Sequence, residues 1–216
     1  MNVYFISGIG ADERLFTHIR LPEGFVSRHI TWVPPLHKES LAAYAARLAA
    51  QIDASRPFMV IGLSLGGIMA SEIAKIHLPA LTVLVSSVPL SRQLPPYYRL
   101  ARRIGLMKLL PGSFFKLTAI SKHAMFMKSK ANRRLMYRVI WSGNNRFIQW
   151  AMNAVLQWEN DKIPSPFVHI HGTRDEVFPI KYTKPTHIIH GGGHMLVMNY
   201  PEKINSILAE VLPFYR

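Results

Sequence analysis

Gly62-Leu63-Ser64-Leu65-Gly66 stands between the apolar run Phe58-Met59-Val60-Ile61 and a helix-spaced run from Leu65 to His77. A serine at such a junction must turn the chain sharply from strand to helix, in a strained backbone conformation. Glycines two residues to either side leave room for the turn and for an exposed hydroxyl. The helix N-terminus also aims free N–H groups at the place where an oxyanion would form.

The rest of the chain supplies a sheet for this turn to belong to. Short β-branched runs at Val3–Ile6, Ser27–Trp32, Phe58–Ile61, Leu81–Val85, Phe167–Ile170 and His187–Ile189 alternate with helical patterns at Ser40–Ile52, Leu65–His77 and Pro201–Leu212. That alternation predicts βαβ units, a parallel sheet and helices covering its faces. With 216 residues, 49% hydrophobic and 18% charged, the chain can bury one substantial core. One α/β domain with an insertion is expected.

The insertion is marked by charge. Between Ser91 and Asn160 thirteen Lys/Arg face a single acid, Glu159, a net +12, whereas the remaining chain carries only +2. Pro95-Pro96, Pro111-Gly112 and Ser142-Gly143-Asn144 punctuate helical stretches there, and no convincing strand appears. The expected division is a core of residues 1–90 and 161–216 and a basic helical cap of residues 91–160, too small to be stable by itself and so packed over the sheet's edge.

A serine nucleophile needs a base, and the base needs an orienting acid. Asp175 follows the Phe167–Ile170 strand in His171-Gly172-Thr173-Arg174-Asp175-Glu176-Val177-Phe178-Pro179, and His194 follows His187–Ile189 in Gly191-Gly192-Gly193-His194. Both then lie beyond the carboxyl ends of strands, where parallel sheets collect ligands. Glu176 and Asp161 are the alternative acids. His169, His171, His187 and His190 compete for the base, but none has convincing metal-ligand spacing; His169 and His171 are expected to face opposite sides of their strand and not to chelate together. With no cysteine in the chain, disulfides, thiolate zinc sites, iron–sulfur clusters and a cysteine nucleophile are excluded. Asp12-Glu13-Arg14 is expected to start a helix, since acids favour a first turn.

These residues resemble the α/β-hydrolase superfamily: the order Ser64, Asp175, His194, the G-x-x-D-x-x-x-P run at Gly172–Pro179 and the glycines before His194. The resemblance spans nearly the whole chain, with the cap where the family commonly inserts one. It implies Ser64 as nucleophile, His194 as general base and then acid, and Asp175 as the orienting partner of His194. It implies oxyanion-hole donors at Leu65 N–H and, from the loop Ser7-Gly8-Ile9-Gly10, at Ile9 N–H; Ser7 replaces the histidine that usually opens that loop. It also places Val3–Ile6 at the family's third strand, so two leading strands are absent and about six strands are expected. Only Glu176–Thr186 separates the Asp175 loop from the last strand, so the usual crossover helix should shrink to a turn.

The implied function is cleavage of a carboxylic ester or thioester, with no cofactor and no metal. The alternative is a ligand-binding or receptor-like protein on the same scaffold, with little turnover; a lyase or cofactor-free oxidative enzyme with the same three residues also fits the resemblance. Trp141, Trp150 and Met152, with Met107, Met125, Met127, Met136 and Trp158, are candidates to line an acyl pocket, or else to pack the cap on the sheet. Lys130, Arg134 and Arg138, and Arg99, Arg102 and Arg103, form basic stripes at helical spacing. Besides a solvated face, they fit an anionic membrane surface or lipid head group, an acidic substrate or nucleic acid, in that order, and no nucleic-acid motif accompanies them. Met1–Ser7 has no basic stretch before an apolar one, and no apolar run approaches the ~18 residues of a membrane span. A soluble, cytoplasmic protein is expected.

Overall fold

A computed structural model describes residues 1–105 and 110–216, with the side chains of all of these except residue 119 and residues 121–126. Strands β1 (Asn2–Ile6), β2 (Val26–His29), β3 (Phe58–Leu63), β4 (Leu81–Val85), β5 (Phe167–Gly172) and β6 (His187–Ile189) form one sheet in the order β2-β1-β3-β4-β5-β6. Every pairing is parallel. Because β2 and β3 lie on opposite sides of β1, the loops leaving β1 and β3 diverge, which opens a crevice at their carboxyl ends.

Strand alternation sends side chains into two apolar layers. Tyr4, Ile6 and Val60 face α1 (Leu41–Ala49) and α2 (Leu65–Ile73). Val3, Phe5, Met59 and Ile61 face the other way, toward Ile204 and Leu208 of the chain's last α-helix, Pro201–Val211. Ser40 caps α1, its hydroxyl accepting the Ala43 N–H at 3.2 Å, and Asp12 likewise starts a short 3-10 turn at Glu13–Phe16. The run expected as a strand from Ser27 to Trp32 pairs only to His29. Its partner β1 ends at Ile6, and with Ile30 N–H donating to the Phe5 carbonyl the ladder runs out.

Between β4 and β5 lie α3 (Pro96–Arg103), α4 (Gly112–Phe126), α5 (Lys130–Ser142) and α6 (Asn145–Gln157), with no strand among the described residues. Phe147, Ile148 and Ala151 of α6 join the layer of α1 and α2, while Met136 and Val139 of α5 join the opposite one. These helices are therefore built onto the sheet's own cores. A single 3-10 turn at Ile180–Tyr182 replaces a crossover helix before β6, and two helices, α7 (Leu196–Asn199) and α8 (Pro201–Val211), lead to a closing 3-10 turn at Leu212–Tyr215. No helix among the described residues is long and apolar enough to cross a membrane.

Candidate active site

Ser64 occupies the one-residue turn between β3 and α2 with φ 54° and ψ −118°, a left-handed conformation that costs a non-glycine residue on the order of 1–3 kcal/mol. The surroundings hold it there. Its N–H donates to the Val85 carbonyl at 3.0 Å, and its own carbonyl accepts the Gly67 N–H at 2.9 Å and the Ser87 hydroxyl at 2.7 Å. The glycines are required by close approach: a Cβ at Gly62 would run into the Gly66 carbonyl, and one at Gly66 into the Ile6 carbonyl. Strand β1, strand β3 and helix α2 can meet this tightly only without those side chains.

From the turn, Ser64 Oγ lies 2.8 Å from His194 Nε2, and His194 Nδ1 lies 3.1 and 3.0 Å from the two oxygens of Asp175. Since a carboxylate can only accept, Nδ1 carries the proton toward Asp175, and Nε2 is left to accept from the serine hydroxyl. All three side chains are buried. Asp175 Oδ1 also accepts the N–H groups of Val177 and Phe178 at 2.9 and 2.8 Å. Burial alone would raise the Asp175 pKa, but the charge and hydrogen bond of His194, with further help from His171 and the Phe178 N–H, hold it below the usual range. Burial likewise pushes His194 down, yet the charge and hydrogen bond of Asp175 and the charge of Glu176 outweigh it and leave His194 above its ordinary value.

The alternative acids do not reach the ring as acceptors. Glu176 Oε2 accepts the backbone N–H of His194 at 3.1 Å, and Asp161 is exposed. A correction concerns His169 and His171: they share one face, with His169 Nε2 3.1 Å from His171 Nδ1. Residues two apart on a strand point the same way, so the expectation of opposite faces had the pleat reversed. His171 Nε2–H donates to the Phe178 carbonyl at 2.7 Å and lies 3.5 Å from Asp175 Oδ2. Burial drives His169 down to about 3 and His171 below its ordinary value, so both are neutral at neutral pH and buttress the acid without competing for the proton. Only the short spacing Gly172–Asp175 hinted in the sequence that His171 sits beneath Asp175.

The loop after β1 lies beside the serine: a Cβ placed on Gly8 would sit 3.6 Å from Ser64 Cβ. Ser7, where the family usually has histidine, is buried; its hydroxyl donates to the Ala11 carbonyl at 2.7 Å and accepts the Trp32 indole N–H at 2.9 Å. Neither Leu65 N–H nor Ile9 N–H has a protein acceptor among the described residues. Leu65 opens helix α2, where N–H groups lack partners within the helix.

Above Ser64 and His194 lies a cavity of about 220 Å³, lined among the described residues mainly by apolar side chains such as Ile9, Leu15, Ile148 and Met152. Met152 and Met136 line it; Trp141 and Trp150 do not. Trp141 points outward and is 72% exposed, because it falls on the outer face of α5. Trp150 packs at a tilt against Tyr44 with ring centres 4.3 Å apart and donates to the Glu39 carbonyl, and Trp158 is buried with its indole N–H on Glu72 at 2.7 Å. Met127 is half-buried in the opposite layer. Met107 and Lys108 lie outside the described residues, as do the side chains of Lys122 and Met125. No group of three or more His, Cys, Asp or Glu able to hold a metal ion occurs among the described residues.

Residues 3–207 match the alpha/beta hydrolase family. The chain belongs to that family. Solved structures of similar shape include a thermophilic esterase from Thermogutta terrifontis, with a TM-score of 0.76 at 18% identity over 100% of this chain and 90% of the esterase. MenH from S. aureus matches with a TM-score of 0.76 at 16% identity, over 100% of this alpha/beta hydrolase and 94% of MenH. ClbQ from the colibactin NRPS/PKS pathway gives 0.63 at 15% identity, over 99% and 97%. At such identities the likeness is one of fold. No curated protein sequence matches this alpha/beta hydrolase.

Proposed function

We propose that this alpha/beta hydrolase cleaves a carboxylic ester or thioester through an acyl-enzyme on Ser64. The observation that carries the reading is the unbroken run of hydrogen bonds from Ser64 Oγ through His194 to Asp175. In the first half-reaction Ser64 Oγ bonds to the substrate carbonyl carbon while its proton passes to His194 Nε2. The resulting oxyanion is held by Leu65 and Ile9 N–H, and Asp175 stabilises the imidazolium. The tetrahedral species collapses as His194 returns the proton to the leaving oxygen or sulfur. Water then attacks the acyl-enzyme with His194 as base, releasing the acid and Ser64. No step calls for a cofactor. Residues 91–160 serve as a cap over this site, and a cavity smaller than the roughly 300–1,000 Å³ of drug-sized pockets favours short acyl groups. Steady-state release of 4-nitrophenol from short-chain 4-nitrophenyl esters is the expected result. One acyl equivalent per chain, or none, would place the protein among binders on this scaffold.

A peripheral contact with an anionic membrane is the second part of the proposal. Lys130, Arg134 and Arg138 are all exposed, and Trp141 continues their face of α5 at helical spacing. Phe114 and Leu117 stand exposed beside Trp141. Cations flanking bare aromatic and aliphatic side chains suit a bilayer interface. At about 1 kcal/mol per cation, replacing Lys130, Arg134 and Arg138 together by glutamine should weaken cosedimentation with phosphatidylserine vesicles about a hundredfold at low salt. Turnover of a short neutral ester checks that the fold is intact. Failure of the parent protein to sediment with such vesicles at low salt removes the membrane contact.

A further inference from the structure

Lys116 is a buried lysine with no carboxylate partner among the described residues. It projects from α4, is 9% exposed, and its Nζ donates to the Trp141 carbonyl at 3.0 Å in the last turn of α5. An ammonium has three donors, and a carbonyl engages one. No carboxylate pairs with it among the described residues, whereas half-buried Glu39 and buried Glu72 and Asp175 pair with Arg47, Lys75 and His194. An unpaired buried charge is costly, and that cost falls when an anion is brought to it.

The position of Lys116 gives its lack of a carboxylate partner a meaning. It lines the cavity that also exposes Ser64 and His194, as well as the outer groove beside Phe114 and Trp141, and among the described residues lining the cavity it is, apart from His194, the only ionisable cation, with no acid beside it. The remaining walls are largely apolar, so the field of a cation there is weakly screened. We propose that the substrate carries a carboxylate of its own, remote from the scissile bond, and that Lys116 recognises it. The inference rests on the hydrolase reading and narrows it to anionic esters or thioesters.

The test compares kcat/KM for charged and neutral substrates in pairs. One arm places the carboxylate on the acyl side, with 4-nitrophenyl hemiesters of glutaric and adipic acid against 4-nitrophenyl pentanoate and hexanoate. The other places it on the leaving group, with 4-acetoxybenzoate against its methyl ester. In at least one arm the parent protein should favour the charged member. Lys116→Gln should reduce that charged-to-neutral ratio by roughly tenfold or more, and Lys116→Arg should retain part of it. Using a ratio removes any common effect of the substitution on folding. A parent preference for the neutral member in both arms, or a ratio unchanged in Lys116→Gln, overturns the proposal. Calorimetric binding of the same hemiesters to Ser64→Ala, with and without Lys116→Gln, reads the contact without turnover, so absence of hydrolysis counts against the hydrolase reading alone.

Discussion

Ser64→Ala is expected to lower ester turnover by on the order of 10⁴–10⁶-fold and to abolish labelling by a fluorophosphonate. The chain has no cysteine to take over, and the neighbouring Ser86 and Ser87 are fully buried, with the Ser87 hydroxyl donating to the Ser64 carbonyl. The substitution removes one oxygen at a turn held by backbone bonds, so circular dichroism and substrate binding should survive. Full labelling of the alanine variant would put the nucleophile elsewhere.

His194→Ala should be as damaging, while Asp175→Asn retains roughly tenfold to a hundredfold more activity, because the acid works only through the base. For the same reason the double variant should be little worse than His194→Ala; multiplicative losses would mean that the wrong pair was chosen. The pH profile offers a finer reading. The base must be neutral to accept the serine proton, and His194 is held above its ordinary value, so kcat/KM should fall with decreasing pH along a limb centred above about 6.5. Glu176→Gln removes one of the charges that raise His194 and should shift that limb to lower pH. A limb that stays put in Glu176→Gln contradicts that influence.

Much of this was legible before any coordinates, and the reason is local. The strand–serine–helix junction, the two downstream loops and the six apolar runs each depend on a few consecutive residues, so the sheet, its short last crossover and the meeting of Ser64, Asp175 and His194 could be anticipated. Apart from the reversed pleat at His169 and His171, what failed depends on long-range packing. Trp141 and Trp150 share a basic, apolar-rich segment, but which helix face meets the sheet is decided by α1, α2 and the loop after β1. Composition cannot say that Trp150 lands on Tyr44 while Trp141 is left in solvent. Lys116 was hidden for the same reason: among the described cations of that segment, only packing singles out the one that is buried.

Ser7 shows how an unusual residue can keep a usual shape. Its hydroxyl is used twice, toward Ala11 within the loop and toward Trp32 across it, and Trp32 is wedged between Tyr44 and Phe147. The Gly8–Ile9 segment is thus tied directly to the hydrophobic core. Its loss of backbone entropy, roughly 1–2 kcal/mol per residue, is charged to folding. In the proposed reaction, the transition state would then be reached without first ordering that loop.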